Sequence, residues 1–240
     1  MTPEENNIHR VLRQHLEIEK SFGISEVPKS KADEFVSGAD ASMTRGKKQA
    51  LGDLENEFKK CMMCGLSEGR THVVFGSGNP DAELMFVGEA PGFDEDQQGQ
   101  PFVGLAGQLL TKIIQAMKLK REDVYIANCL KCRPPSNRSP LPSEIATCKP
   151  ILMKQIEIIR PKVICALGKF AAQTLLQTDE PISRLRGRFV DWNGIQIMPT
   201  FHPAYLLRNP SDKKLVWEDA QKIMKKLGII TNNQAPNDRQ

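Results

Sequence analysis

"ELMFVGEAPGFDEDQQGQPFVG", residues 83–104, is the stretch on which the reading of this chain turns. Residues 84–87 form a short unbroken apolar run, the pattern of a strand buried on both faces. The run ends at Gly88 and opens into a Gly/Pro-rich loop holding four acids, Glu89, Asp94, Glu95 and Asp96. A chain that is basic overall has gathered carboxylates where a buried strand ends.

Outward from this stretch, strands and helices alternate. "GLAGQLLTKIIQAMKL" (104–119) carries Leu105, Leu109, Ile113, Ile114 and Met117 at helical spacing, and "DVYIANC" (123–129) reads as a strand. "SEIATCKPILMKQIEIIR" (143–160) reads as a helix whose main segment Pro150 should start or kink. "KVICALG" (162–168) is a strand followed by the helix "KFAAQTLLQ". In "GRFVDWNGIQIMPTFHP" (187–203), Asn193-Gly194 between alternating runs signals a hairpin. "DKKLVWEDAQKIMKKLG" (212–228) is a closing amphipathic helix. Such alternation with short connections predicts an α/β fold, a mostly parallel sheet with helices on both faces. Ligands of such sheets bind at the C-terminal strand ends. Here those are the loops at 88–92, 128–135, 168 and 200–208.

The flanks read differently. Residues 7–20 have helical apolar spacing, and about 21–49 are rich in Ser, Lys, Asp and Gly and read as a linker. Residues 1–50 are thus an extension, 51–228 the main domain, and 229–240 a disordered tail. His9 and His15 fall outside the main domain and are not expected to take part in chemistry. There is no apolar run near the length of a bilayer span and no secretory pattern at the start, so a cytoplasmic protein without membrane contact is expected. Charge is uneven. Residues 1–120 hold 14 Lys/Arg against 18 Asp/Glu, and residues 121–240 hold 19 against 11. The basic half fits either an anionic partner such as nucleic acid or ordinary solvated lysines.

Six cysteines in such a chain argue for metal ligands, a nucleophile or core thiols rather than disulfides. "CMMC" supplies Cys61 and Cys64, and Cys132 and Cys148 follow with fifteen residues between them. Four thiolates suit zinc or a [4Fe–4S] cluster. A zinc ribbon would carry a second CxxC, and the wide second pair leans toward iron–sulfur. Lys131, Arg133 and Arg138 would offset the thiolate charge. Cys129 competes with Cys132, which is preferred for its irregular, basic loop; Cys165 reads as a core thiol.

Glu89, Asn128 and His202 each sit at or just past a predicted strand end, so one cleft should collect them. Singly, each has a plainer use: a turn cap, a backbone partner, a packed loop residue. Together they describe a site. An amide offers donor and acceptor side by side, matching the edge of a base. Uracil presents O4 as acceptor and N3–H as donor, and cytosine the reverse, so one fixed amide orientation selects uracil. Phe102 could supply the stacking face. In "HPAYLLRNP" (202–210), Leu206 and Leu207 beside Arg208 are expected to be exposed, as a wedge entering a base stack would be. The alternative is an apolar plug beneath the last helix.

At these residues the chain resembles the family 4 uracil-DNA glycosylases. The likeness lies in "GEAPGFDED" (88–96), "GQPFVGLAG" (99–107), "NCLKCRPPSNR" (128–138), "FHPAYLLRNP" (201–210) and the four spaced cysteines. It spans about residues 51–228. It implies a three-layer αβα fold around a four-stranded parallel sheet, and a structural [4Fe–4S] cluster on Cys61, Cys64, Cys132 and Cys148. It also implies a uracil pocket of Gly88, Glu89, Ala90, Phe102, Asn128 and His202, with Glu95 helping to exclude the thymine methyl. The X-type relatives, which bond covalently to DNA, carry a basic insertion with a nucleophilic His after the Asn strand. "CRPPSNRSP" has neither, so ordinary turnover is expected. Family 5 relatives lack the acidic first motif.

The activity so implied is hydrolysis of the N-glycosidic bond of a uracil flipped out of DNA. Glu89 and His202 would be catalytic. Leu206 would fill the gap, and Arg208, Arg184, Arg186 and Arg188 would hold phosphates. The chain is expected to act as a monomer, with residues 1–50 the segment that would meet a protein partner, although no motif there identifies one. Two rivals compare poorly. A non-catalytic iron–sulfur or zinc DNA-binding module gains nothing from a carboxylate in a DNA cleft. A nucleotide-binding oxidoreductase would rest on "GSGNPD" (76–81), which lacks the third Gly and precedes a strand instead of following one.

Overall fold

The computed structural model describes residues 46–230. The expected helix at 7–20, most of the expected linker, His9, His15 and residues 231–240 lie outside the described residues. Helix α1 (Lys47–Phe58) begins inside the expected linker, burying Leu51 and Leu54, and Ile229 and Ile230, placed in the tail by sequence, pack against the core.

Six strands form one sheet: β1 (Ser77–Gly78), β2 (Leu84–Gly88), β3 (Tyr125–Asn128), β4 (Val163–Leu167), β5 (Val190–Trp192) and β6 (Ile195–Thr200). They lie in the order β1-β3-β2-β4-β6-β5. The central β3, β2, β4 and β6 are parallel, with Gly88 opposite Asn128 and Ile164 opposite both Met85 and Ile197. The expected four-stranded parallel sheet is therefore present, and two short antiparallel edges extend it to six. The β5–β6 hairpin turns through Asn193 and Gly194, with φ of 52° and 82°. Such a two-residue turn needs positive φ at both positions, which Asn-Gly supplies at little cost.

The crossovers place helices on both faces. A short helix α2 (Leu66–Gly69) precedes the sheet. α3 (Phe93–Gln98) and α4 (Leu105–Ala116) join β2 to β3, and α5 (Pro142–Ile159) joins β3 to β4. α6 (Gly168–Leu176) and α7 (Ile182–Leu185) follow β4; α8 (Pro203–Arg208) and α9 (Lys213–Lys226) follow β6. Side chains alternate along β2 accordingly. Met85 and Val87 pack with α1, α5 and α6, whereas Leu84 and Phe86 pack with α4 and α9. The buried stripe of α4 is Leu110 and Ile114, with Met117 just beyond; Leu105, in its first turn, is 70% exposed. α5 runs unbroken through Pro150 and starts at Pro142, whose missing N–H costs nothing in a first turn. Glu144 caps that end by accepting from the Leu141 N–H at 2.8 Å. Among the described residues no helix is long and apolar enough to cross a membrane.

β3 lies to one side of β2 and β4 to the other. The connections therefore part between β2 and β4, the switch point at which open parallel sheets carry their ligands.

Candidate active site

The C-terminal strand ends border a cleft whose lining includes Glu89, Ala90, Glu95, Phe102, Asn128 and His202. Gly88 is not among the lining residues but lies directly against two of them. A Cβ there would stand 2.4 Å from Asn128 Oδ1 and 2.5 Å from Phe102 Cζ, so only glycine lets the amide and the ring meet over the strand end. Asn128 is 1% exposed, and its backbone carbonyl accepts from Lys131 Nζ at 2.9 Å. Among the described residues its Oδ1 is the one buried side-chain polar atom without a hydrogen-bond partner. A buried acceptor left unpaired costs about 1–3 kcal/mol. A donor entering the cleft would recover that cost.

His202 begins α8 as its N-cap: Nδ1 accepts the Ala204 N–H at 3.1 Å. An accepting Nδ1 is unprotonated, so the neutral ring carries its proton on Nε2 and donates from there. Burial, helped by the charge of Arg208, pushes the imidazole pKa down to about 4. The ring lies 5.6 Å from that of Phe102 at an interplanar angle of 32°. Burial also raises the pKa of Glu89.

Two of the other three acids have distinct duties. Glu95 lines the cleft, but both its oxygens bind backbone: Oε1 accepts from Val103 and Gly104, each at 2.9 Å, and Oε2 from Gly92 at 3.1 Å. It caps α3 and ties down the loop carrying Phe102. Asp96 is buried and caps nothing; it accepts from the Thr71 N–H at 3.0 Å and the His72 N–H at 3.4 Å, joining α3 to the segment after α2. Asp94 is exposed.

Two DNA-contact assignments change. Residues 203–208 are helix rather than loop, and the helical phase turns Leu206 inward, 1% exposed, and Leu207 outward, 45% exposed. Leu206 is therefore buried, contrary to the expected exposed pair, and Leu207 is the exposed one of the two. Arg186 is likewise committed inside the fold. It bonds both carboxylate oxygens of buried Asp219, at 2.6 and 3.2 Å, and the Leu215 carbonyl at 2.7 Å. Arg184, Arg188 and Arg208 are exposed.

Cys61, Cys64, Cys132 and Cys148 line a second, tighter pocket, together with Phe58, Arg70 and Ile151. Arg70 Nη1 donates to Cys132 Sγ at 3.4 Å and the Lys131 N–H to Cys148 Sγ at 3.3 Å. Among the described residues no three His, Cys, Asp or Glu side chains converge to hold a single ion. Cys129 is bonded to Thr174, and burial pushes its pKa up to about 12. Arg133 stacks on Phe93 and Arg138 pairs with Glu144, so the cations near the thiols are Arg70 and Lys131. Arg70, sixty-two residues before Cys132, carried no signal of this contact in the sequence.

Residues 75–221 match the family model described as the uracil DNA glycosylase superfamily. The chain is 49% identical over 173 residues to a type-4 uracil-DNA glycosylase of Thermotoga maritima, covering 70% of this chain and 90% of that one. Type-4 uracil-DNA glycosylases of Saccharolobus solfataricus and Archaeoglobus fulgidus are 45% and 42% identical, covering 72% and 78% of this chain and 85% and 96% of theirs.

Proposed function

The chain belongs to the uracil-DNA glycosylase superfamily and, within it, to the type-4 enzymes, and from that premise we propose that it flips uracil out of DNA and hydrolyses its N-glycosidic bond. The observation that carries this reading is the unpaired Asn128 Oδ1 in a cleft walled by Phe102, the two brought together by the absence of a side chain at Gly88. A buried acceptor beside an aromatic face fits the N3–H of uracil; cytosine, whose N3 accepts and whose donor is the N4 amino group, presents the reverse order to the same amide.

Extrusion costs a few kcal/mol of stacking and pairing. Leu207 is the exposed side chain suited to the vacated space, and Arg208, Arg184 and Arg188 are free to meet phosphates. As the C1′–N1 bond breaks, the sugar becomes cationic and the base anionic. His202 Nε2–H donates to uracil O2 where the negative charge grows. Glu89 faces the sugar, stabilises the cation and orients the water that attacks C1′. Incubation with a uracil-containing oligonucleotide is expected to yield free uracil and an abasic site. Binding without uracil release would favour a DNA-binding module instead.

Four thiols around one cavity, with two N–H groups directed at sulfur, support a [4Fe–4S] cluster on Cys61, Cys64, Cys132 and Cys148. Zinc is the alternative, and it needs four ligands drawn in to about 2.3 Å. Held by Cys61, Cys64, Cys132 and Cys148, such a cluster would serve as a cross-link between the α1–α2 connection, the loop after β3 and α5. Purified protein is expected to show a broad absorption shoulder near about 400 nm and to contain iron. Stoichiometric zinc and a colourless protein would reverse the assignment.

A further inference from the structure

Phe102 holds its ring over the cleft from an unfavourable backbone. Its φ is 54°, in the left-handed region that a bulky side chain rarely adopts. Something must over-determine that geometry. On the C-terminal side Glu95 Oε1 accepts from the Val103 and Gly104 N–H groups, each at 2.9 Å. On the N-terminal side Arg121 Nη2 donates to the Pro101 carbonyl, while Arg121 Nη1 donates to Thr111 Oγ1 at 3.3 Å. Thr111 in turn donates to the Gly107 carbonyl at 3.0 Å. Gly107 is where the Phe102 peptide rests on α4; a Cβ there would lie 1.9 Å from the Phe102 carbonyl oxygen. A carboxylate and a guanidinium thus grip the peptides on either side of one strained residue, and their charges attract each other.

We propose that Arg121 is a positioning residue for uracil excision, which together with Glu95 clamps Phe102 in the conformation that makes it a base platform. This rests on the reading of Phe102 as the face on which uracil stacks. Arg121 lies nineteen residues past Phe102, in the 3-10 turn Arg121–Asp123 before β3, and is not among the residues lining the cleft. It acts through Phe102. The fork of a guanidinium reaches two acceptors on different segments at once; an ammonium at the same place holds one of them.

The test uses the full chain with Arg121→Met, Arg121→Lys, Phe102→Ala and the double variant Arg121→Met/Phe102→Ala. Single-turnover cleavage, inhibition by free uracil, affinity for undamaged duplex and thermal midpoint are measured on each. Arg121→Met is expected to raise the inhibition constant for free uracil and to slow cleavage, each on the order of tenfold, the scale of a lost base-stacking contact. Affinity for undamaged DNA stays near wild type. In the Phe102→Ala background the Arg121→Met change adds nothing further, since the platform it positions is gone. Arg121→Lys falls between, and it carries the test if Arg121→Met fails to fold. Wild-type uracil inhibition in either Arg121 variant, or losses that multiply with that of Phe102→Ala, would overturn the role. A wild-type protein that neither releases uracil nor is inhibited by it instead removes the parent reading, and the clamp's purpose with it.

Discussion

Replacing Glu89 with Gln is expected to lower single-turnover uracil release by about 10²–10⁴-fold, the range of positioned acid–base groups, with far less effect on DNA affinity. Gln keeps the shape of the side chain and removes its charge. Glu89 follows β2 directly, beside Gly88, and burial has raised its pKa. A carboxylate held in poorly solvated surroundings is costly in the ground state and most useful when a positive charge forms beside it. The sign of the pH dependence follows. The working form is ionised, so the rate falls as pH drops through the raised Glu89 pKa, and that acid limb should vanish in Glu89→Gln. Stability moves the other way. A carboxyl whose pKa is raised on folding destabilises the fold once pH exceeds its unfolded value. Glu89→Gln should therefore unfold at a higher temperature than wild type at neutral pH, a trade of stability for activity. Rapid-quench cleavage, binding to a non-cleavable uracil analogue and thermal melts measure the three effects. Equal losses in rate and affinity would reassign Glu89 to binding.

Elements whose pattern is local were legible in the sequence. The apolar runs at 84–87 and 163–167 are fully buried strands, and Asn193-Gly194 makes the hairpin its dipeptide announces. Placement at strand ends drew Glu89, Asn128 and His202 into one cleft, because a parallel sheet presents all its C-terminal ends together. What escaped depends on partners distant in the chain, or on helical phase. Leu206 and Leu207, both expected to be exposed, part into a buried and an exposed side chain once residues 203–208 are taken as a helix started by Pro203 and capped by His202. Arg186 looks like its exposed neighbours Arg184 and Arg188 until Asp219, thirty-three residues on, is seen to bind it. β1, two residues long, is too short to carry a period. The loop acids separated only when Val103, Gly104 and Thr71 supplied the N–H groups that tell Glu95 from Asp96.

His202→Ala should cost about 10²–10³-fold in the same single-turnover assay, the usual loss when one oxyanion donor is removed. The structure makes a sharper demand than this magnitude. With a pKa of about 4, His202 is neutral across the working range, and its Nδ1 accepts the Ala204 N–H, so the role proposed for it is that of a hydrogen-bond donor through Nε2 and not of an acid delivering a proton. The rate should then show no inflection between about pH 5.5 and 8 that disappears on removing the imidazole, although an unperturbed histidine titrates there. Because a histidine buried in its neutral form must charge on unfolding, stability declines as pH falls below the unfolded pKa toward about 4, and His202→Ala should flatten that decline. Alanine also removes the α8 cap, worth about 0.5–2 kcal/mol, so a slow variant could merely be a loosened one. His202→Asn separates the two effects. Its side-chain oxygen can cap the helix as Nδ1 does, but its amide replaces the imidazole N–H by a shorter arm. Asparagine is therefore expected to restore the thermal midpoint without restoring the rate. Recovery of both would make His202 a cap alone and return the stabilisation of the departing uracil anion to the backbone around it.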